Sequence, residues 1–347
     1  MNITAIYQQH LEKVSRSFSF CIPRLNSDLR HWVSLSYLLF RVVDTIEDSV
    51  WESSLKQLSV FQQLIEFIQN KPEPYQVELW MSSFPDNIPD CEKKLLADSA
   101  ILINDLHTLS QPIYEIVSHG MIDMIRGMIY FCGKTKTGLK NIYELNQYCF
   151  FVAGIVGELL TKLVMSRSNK EFEKTAKDEG LILKSHHFGI FLQKINILKD
   201  QSKDESEGRF FVPEREIIKQ SLKVNCENAF AYIVQLPKES RDYKLFCSYS
   251  FFLGLFSLSW IENSWVAKIA EKIPRDITEK FLKNVENCID DNQALEKLFQ
   301  SYLPGIKKWA DFTLPIVQME ENDFSWFDNS YSGTLNLDHL QNLGLIN

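Results

Sequence analysis

Apolar residues recur about every 3.6 positions along almost the whole chain, and this spacing limits the possible fold more than any other feature of the sequence. A repeat of this kind places an apolar stripe along one face of each helix. No convincing run of alternating apolar and polar residues indicates a strand. The sequence therefore predicts an all-α protein.

Glycine, proline and polar segments divide this pattern into separate helices. The predicted helices cover roughly residues 2–14, 27–50, 53–69, 91–107, 111–131, 141–166, 171–201, 213–234, 239–262, 276–288 and 292–312. The longest predicted irregular segment, about 70–90, is a loop. With 347 residues the chain can bury a large core, and we expect one all-α domain over 1–312 and an acidic, aromatic tail over 313–347.

Charge and cysteine content exclude several classes of protein. The formal net charge of −8 argues against general affinity for nucleic acid, which requires a basic surface. The seven cysteines are scattered and form no CxxC pair, so we expect reduced thiols rather than a zinc site or a disulfide framework. The N-terminus has no secretory signal pattern, and the most apolar run, about Phe251–Trp260, is too short to span a bilayer. These features predict a cytoplasmic protein without a transmembrane anchor and leave open contact with a membrane surface.

The first candidate site is an acidic stripe on the predicted helix 27–50. Asp44 and Asp48 are one helical turn apart, with Tyr37, Arg41 and Glu47 on the same side. Leu35, Leu39, Val42 and Ile46 lie on the opposite side. Such a stripe can be the solvated face of an amphipathic helix, but the apolarity of this segment predicts a helix that is buried on nearly all sides. A buried carboxylate pair requires a cation to offset repulsion and desolvation.

A second acidic stripe lies on the predicted helix 171–201. Asp200 and Asp204 are again one turn apart, and the amide side chains of Gln193 and Asn196 precede them on the same face. Carboxylate oxygens without Cys or His suit Mg²⁺, which proteins usually hold with a few carboxylates plus substrate phosphates. His186 and His187 are adjacent in sequence and cannot both face one metal from one side of a helix. The two stripes therefore predict an oxygen-only cation site.

The chain resembles the squalene/phytoene synthases through four separated segments, which are SRSFSF (15–20), DTIED (44–48), YCFFVAGIVG (148–157) and LQKINILKDQSKDESEGRFFVP (192–213). Their order and spacing agree with that family over roughly residues 10–290. The segments YCFFVAGIVG, FGIFLQKINILKD and Phe246-Cys247 are most similar to the squalene synthase branch.

The resemblance implies a single all-α isoprenoid-synthase domain around a central apolar cavity. In this family two aspartate-rich motifs on opposite helices bind Mg²⁺ and the diphosphates of two farnesyl diphosphate molecules. The first half-reaction joins the two chains as presqualene diphosphate. The squalene branch then ionises this intermediate again and quenches the cation with hydride from NADPH.

The resemblance also implies roles for individual residues. The implied metal ligands are Asp44, Glu47 and Asp48 in the first motif and Asp200 and Asp204 in the second. The implied contacts to substrate come from Arg16, Arg41, Gln193, Asn196, Lys199, Lys203 and Arg209. Tyr148 is implied to act near the first ionisation as a proton shuttle or cation stabiliser, and Tyr37 lines the same pocket. Lys272 and Arg275 correspond loosely to basic residues near the reductive site and are candidates for binding NADPH.

Three features of the sequence are not explained by the resemblance. Gly154 and Gly157 destabilise a helix interior, so either a neighbouring helix or a prenyl chain must use the space. The second motif has Lys203 where the family usually has glutamate, so either Lys203 contacts diphosphate or the enzyme is weakened. Ser250-Phe251 replaces a frequent Pro-Gln pair, which puts the reductive half-reaction in more doubt than the condensation.

The sequence leaves alternative functions open. The product could instead be presqualene diphosphate, dehydrosqualene or phytoene. A non-catalytic scaffold or assembly factor with the same fold belongs to another class. Retention of the four aspartates argues against the scaffold.

Overall fold

A computed structural model describes residues 3–15, 18–167, 180–212, 215–267 and 273–310 of the chain. Every regular element within these ranges is helical, which confirms the predicted all-α class. The described residues up to Cys132, together with Lys162–Arg167, form one compact unit, and the other described residues form a second. The predicted boundary between residues 312 and 313 lies outside the described residues and stays a prediction.

The first helices along the chain are α1 (Ile3–Val14), α2 (Phe18–Cys21), α3 (Ser27–Asp48), α4 (Ser54–Gln69), α5 (Pro74–Met81), α6 (Asp90–Ala97), α7 (Ser99–Leu106) and α8 (Gln111–Thr137). They are followed by α9 (Ile142–Cys149), α10 (Ile155–Met165), α11 (Leu181–Ser206), α12 (Arg215–Gln235), α13 (Arg241–Ala267), α14 (Arg275–Cys288) and α15 (Asn292–Ala310). A π-helical turn, Phe150–Gly154, joins α9 to α10. Short 3₁₀ turns occupy Ile22–Arg24 and Lys238–Ser240.

Helix α3 carries the first acidic stripe. It begins after Asn26, whose side-chain oxygen accepts a hydrogen bond from the Leu29 N–H and so caps the helix. The residues predicted for its apolar face are all buried: Leu35, Leu39, Val42 and Ile46. The opposite stripe is half-buried and ends at an exposed Asp48, so the expectation that α3 is buried on nearly all sides is wrong on this face.

Helix α5 corrects the prediction of a long loop at 70–90. Pro74 occupies the first turn, where its missing N–H costs nothing, and Glu73 and Gln76 form a reciprocal capping box. The helix buries Val77 and Trp80, and the Trp80 indole N–H donates to the Val60 carbonyl at 3.0 Å. A helix of only eight residues is too short to show a clear apolar period, but its capping sequence was a usable signal.

The second unit is built around α11, which packs closely on α12 and on the π-helical turn. Gly157 and Gly189 permit this approach, because a Cβ on Gly157 would lie 2.1 Å from the Ser185 carbonyl oxygen and one on Gly189 would lie 2.0 Å from the Ala153 carbonyl oxygen. Of the two uses considered for Gly157, close helix packing is therefore the correct one. A Cβ on Gly154 would meet the Phe150 ring at 2.9 Å, so this glycine also relieves crowding within the protein.

One helical stretch in the described part of the chain, Ile142–Met165, is long and apolar enough to cross a membrane by length and composition alone. It corrects the prediction that Phe251–Trp260 is the most apolar run. Within the fold, 67% of its most apolar window is buried, as in the core helix of a folded domain.

Candidate active site

The first motif combines a half-buried carboxylate with an exposed one. Asp44 accepts a hydrogen bond from Arg41 Nη1 at 2.9 Å, and its side chain is 29% exposed. Burial raises the pKa of Asp44 to about 6, although the charge of Arg41 acts in the opposite direction. Glu47 is half-buried and Asp48 is exposed. Negative charge on this stripe thus destabilises the folded protein, and a bound cation would reduce this destabilisation.

Glu92 on α6 is part of this site, and the sequence interpretation missed it. Its Oε1 accepts from Arg41 Nη2 at 2.8 Å, so Arg41 bridges carboxylates on two different helices. Glu92 is 47 residues after Thr45, whose hydroxyl also lies 3.4 Å from Glu92 Oε2. No local pattern in the sequence indicates this contact, because helix periodicity reports only which face of one helix is apolar.

Tyr37 lies one turn before Arg41 on α3 and is half-buried. Its ring packs against Phe18 with the ring centres 5.1 Å apart. Burial raises the pKa of Tyr37, although a hydrogen bond with Ser15 and the charge of Arg41 lower it. The predicted diphosphate contact Arg16 follows Ser15 directly but lies outside the described residues.

The second motif lies on the last turns of α11, where every charged side chain has a partner. Arg209 donates to Asp204 at 2.8 Å and to Glu207 at 2.7 Å. The ammonium of Lys199 lies 3.3 Å from Asp200 and also donates to Asn196 at 3.1 Å. The structure therefore forms two groups at the end of α11, one of Lys199, Asp200 and Asn196 and one of Arg209, Asp204 and Glu207.

Lys203 does not contact either aspartate of its motif. Its ammonium lies 3.7 Å from Glu207 Oε1, and its side chain is 70% exposed. Gln193, at the other end of the predicted stripe, is half-buried. A direct contact from Lys203 to diphosphate stays a prediction that requires its side chain to leave Glu207.

Lys194, between the predicted residues Gln193 and Asn196, is a second residue that the sequence interpretation missed. It is completely buried, and its ammonium donates to Ser221 Oγ and Asn225 Oδ1, both at 2.6 Å. Asn225 Nδ2 in turn donates to Nδ1 of His187 at 2.9 Å. Burial lowers the pKa of Lys194 to about 7 and that of His187 to about 3. His187 is thus a neutral, buried core residue.

Tyr148 is buried on the last turn of α9, next to the π-helical turn. Its ring stacks on Phe211, with centres 4.9 Å apart and planes inclined by 29°. Phe211 is held by its neighbour Phe210, whose N–H donates to the Thr135 carbonyl at 2.8 Å and whose carbonyl accepts from the Leu139 N–H at 3.1 Å. The segment after the second motif therefore fixes the ring of Tyr148.

The predicted NADPH contacts cannot be located in the fold. Lys272 lies outside the described residues, and so does the side chain of Arg275, whose backbone begins α14. Ser250 and Phe251 lie on α13, where the Ser250 hydroxyl donates to the Phe246 carbonyl at 3.1 Å and Phe251 packs on Phe191 with centres 5.0 Å apart. Both are buried core residues.

The two carboxylate pairs fit Mg²⁺ only if substrate completes its coordination. In the described part of the chain, no group of three or more His, Cys, Asp or Glu side chains is arranged to hold a metal ion. Mg²⁺ commonly binds one or two carboxylates together with substrate phosphates and water, which is what Asp44 with Asp48 and Asp200 with Asp204 can provide. Asp44 and Asp48 belong to the first unit and Asp200 and Asp204 to the second. That the two motifs face each other is implied by the resemblance and stays a prediction.

Comparison with known sequences supports the resemblance. The sequence model of the squalene/phytoene synthase family matches residues 11–230. Squalene synthase ERG9 of Saccharomyces cerevisiae is 32% identical over 213 residues, which are 59% of this chain and 44% of that protein. Squalene synthase of Schizosaccharomyces pombe is 31% identical over 221 residues, covering 62% of this chain and 45% of that protein. This chain therefore spans less than half the length of these curated relatives.

Comparison with solved structures extends the similarity of the fold. Two structures of TcSQS, with the ligands E5700 and BPH1237, align with TM-scores of 0.70 and 0.68. Each alignment covers 94% of this chain and 96% of the other, at 19% sequence identity, and so indicates a shared all-α fold. The predicted resemblance over 10–290 is confirmed by the family match as far as residue 230.

Proposed function

Because this chain belongs to the squalene/phytoene synthase family, we propose that it condenses two farnesyl diphosphate molecules head to head, through presqualene diphosphate, and reduces the product to squalene. One observation carries the proposal. In each acidic motif an arginine that the resemblance assigns to diphosphate binding touches a motif aspartate, Arg41 with Asp44 at 2.9 Å and Arg209 with Asp204 at 2.8 Å. Each motif thus joins an anion-binding group to a cation-binding group, as diphosphate ionisation requires.

The first half-reaction breaks the bond between the allylic carbon and a diphosphate oxygen. Arg41 at the first motif, and Arg209 and Lys199 at the second, each offer charged hydrogen-bond donors to a diphosphate bound at their own motif. Asp44 with Asp48, and Asp200 with Asp204, would hold Mg²⁺, which supplies further positive charge against the leaving group when it is bound. The carbocation must then meet the double bond of the second farnesyl chain before it meets water, and the proton that the joined product loses passes to the departed diphosphate.

Buried aromatic residues supply that dry environment. The buried rings of Tyr148 and Phe211 stack on each other, and this stacking leaves no room for water between the two rings. The hydroxyl of Tyr148 acts near the departing diphosphate as a proton carrier or as a dipole toward the cation. The stacked ring keeps this hydroxyl in one orientation.

The reductive half-reaction requires NADPH as the hydride source, and the squalene synthases among the relatives support it. Lys272 and Arg275 are the proposed contacts for its phosphates. A second candidate function omits this step and yields presqualene diphosphate, dehydrosqualene or phytoene. The burial of Ser250 and Phe251 in the core favours this candidate, since neither side chain is available to a cofactor there. We place the reaction in the cytoplasm, where the prenyl substrates and products bring the protein to a membrane surface.

One incubation tests these proposals. The chain is mixed with farnesyl diphosphate and Mg²⁺, with and without NADPH, and the products are identified by mass spectrometry. We expect squalene with NADPH and presqualene diphosphate without it. Presqualene diphosphate or dehydrosqualene in both reactions would support the non-reductive candidate. Unchanged farnesyl diphosphate would favour a scaffold that has only the fold of the family.

A further inference from the structure

The Glu92 carboxylate is the only described contact that fixes Arg41 from outside its own helix. Arg41 donates through Nη1 to Asp44 and through Nη2 to Glu92, and these are its two hydrogen bonds within the described residues. Asp44 is three residues away on α3, whereas Glu92 lies in the first turn of α6. The guanidinium is therefore held between two helices.

The contact from α6 decides the orientation of the guanidinium. A pair three residues apart on one helix restrains a long side chain weakly, because both partners can turn together into solvent. A second carboxylate on another helix fixes the plane of the fork, since a guanidinium presents its donors in rigid geometry. Glu92 is suited to this because its side chain is only 15% exposed.

The held guanidinium retains donors for an anion. Of its five N–H bonds, two are used by the carboxylates, and Nε has no hydrogen-bond partner within the described residues. Each terminal nitrogen keeps one further N–H bond, whereas Nε is buried. An arginine fixed in this way presents donors to diphosphate without first losing side-chain entropy.

We propose that Glu92 is a positioning residue that holds Arg41 for diphosphate binding at the first acidic motif. The inference rests on the proposed function, since Arg41 has this role only if the motif binds a diphosphate. Glu92 itself touches neither the substrate nor the reacting atoms. A simpler role, in which Glu92 merely ties α6 to α3, would affect folding but not diphosphate binding.

Binding of inorganic diphosphate in the presence of Mg²⁺, measured by calorimetry on the full chain, separates these roles. We expect Glu92→Ala to weaken binding roughly tenfold, the cost of ordering one long side chain at the moment of binding. Glu92→Gln retains an acceptor oxygen for Arg41 Nη2 and should stay within about threefold of wild type. Asp90→Ala removes an exposed acid from the same helical turn and should bind diphosphate as wild type does. Thermal midpoints and circular dichroism establish that each variant is folded, and Glu92→Met replaces Glu92→Ala if the latter is not.

A double-mutant cycle with Arg41→Gln tests whether Glu92 acts through Arg41. In that background Glu92→Ala should have no further effect on diphosphate affinity. An equal loss in both backgrounds, or no loss in either, would overturn the positioning role. Turnover of farnesyl diphosphate is measured separately. A wild-type chain that binds diphosphate in a Glu92-dependent way but does not consume farnesyl diphosphate would overturn the proposed function and support the inference.

Discussion

The ammonium of Lys194 lies 2.6 Å from Oδ1 of Asn225 in the core of the second unit, and no carboxylate pairs with it in the described part of the chain. Neutral acceptors satisfy its hydrogen bonds but offset little of the cost of removing a charge from water. This is why the pKa of Lys194 falls to about 7.

Lys194 should therefore make the stability of the protein depend on pH. Between pH 7 and the ordinary lysine pKa of about 10.4, the unfolded chain binds a proton that the folded chain has released, so the contribution of Lys194 to stability rises with pH. Lys194→Met removes this contribution. The difference in thermal midpoint between Lys194→Met and wild type should be most positive at pH 6 and should fall steadily toward pH 9. Each kcal/mol of unfolding free energy changes the midpoint by about 2 °C to 4 °C. Lys199→Met, on the exposed side of the same helix, is the control that removes a solvated lysine. A pH-independent difference for Lys194→Met would contradict this account.

The pair His31 and Asp105 predicts the opposite trend in the first unit. The hydrogen bond to Asp105 raises the pKa of His31. Burial alone would raise the pKa of Asp105, but hydrogen bonds from His31 and Tyr7 outweigh it and lower that pKa. The stabilisation by His31 is thus complete below its unfolded pKa of about 6.5 and is lost as pH rises through its raised pKa in the folded protein. The stabilisation by Asp105 is instead lost as pH falls below its unfolded pKa of about 3.9.

His31→Gln should therefore lower the thermal midpoint most near pH 5 and least above pH 8. The loss should stay below about 1 kcal/mol, because His31 is partly exposed and solvent screens the pair. Denaturation midpoints at pH 5 and pH 8 measure this difference. A larger loss at pH 8 than at pH 5 would show that the pair is not charged as described.

Asp44→Asn should reduce turnover of farnesyl diphosphate by roughly 100-fold or more, since it removes a charged ligand from the first motif. The substitution should not lower the stability of the fold, because burial already disfavours the charged form of Asp44. We expect a thermal midpoint equal to or above that of wild type without Mg²⁺, and a smaller increase when Mg²⁺ and diphosphate are added. Asp48→Asn should have the same effect on turnover. Asp28→Asn, an exposed acid in the first turn of the same helix, is the control. Near-normal turnover of either motif variant would exclude the metal assignment.

Tyr148→Phe should slow the first half-reaction roughly 100-fold while KM changes by less than about threefold, because the ring remains stacked on Phe211 and only the hydroxyl is lost. Single-turnover formation of presqualene diphosphate measures this step. Tyr143→Phe on the same helix, 48% exposed, should behave as wild type. If formation of presqualene diphosphate is unchanged in Tyr148→Phe, Tyr148 serves only in packing.

The sequence was sufficient for the features that are local to one helix. The apolar period of α3 identified the buried positions Leu35 and Ile46, and the spacing of Asp44 and Asp48 placed them on the opposite side but did not predict that this side is partly exposed. Gly157 indicated that either a neighbouring helix or a prenyl chain uses the space, and the structure assigns that space to the close approach of Ser185.

Features that depend on two distant segments could not be predicted in this way. Glu92 looks like any acid in the first turn of a helix until α6 packs beside α3 and presents it to Arg41. Lys194 follows Gln193 on the predicted polar stripe, and only the packing of α12 makes it a buried charge. Phe211 likewise meets Tyr148 only because backbone hydrogen bonds fasten its segment to Thr135 and Leu139.

Lys203 provides the last test, because it replaces a carboxylate that the family usually has in the second motif. On the helix it projects to the side of Asp200 that faces away from Asp204, and in the structure its ammonium pairs with Glu207 at 3.7 Å. An exposed pair of this kind restrains a lysine little, so the long side chain is available to a diphosphate at Asp200. Lys203→Ala should then weaken the binding of diphosphate by roughly threefold to tenfold, as expected for one charged hydrogen bond that remains partly exposed to solvent.

Lys203→Glu should have a different effect on the same measurement. A glutamate restores three carboxylates to the motif and removes a positive charge, so half-maximal activity should require a higher Mg²⁺ concentration than in wild type, because Mg²⁺ must now supply the charge that Lys203 provided. Titration of activity and of diphosphate binding against Mg²⁺ for wild type and both variants gives the comparison. Lys140→Ala, an exposed lysine of the same unit, controls for the loss of a surface charge. Identical curves for wild type, Lys203→Ala and Lys203→Glu would mean that Lys203 stays with Glu207 and takes no part in diphosphate binding.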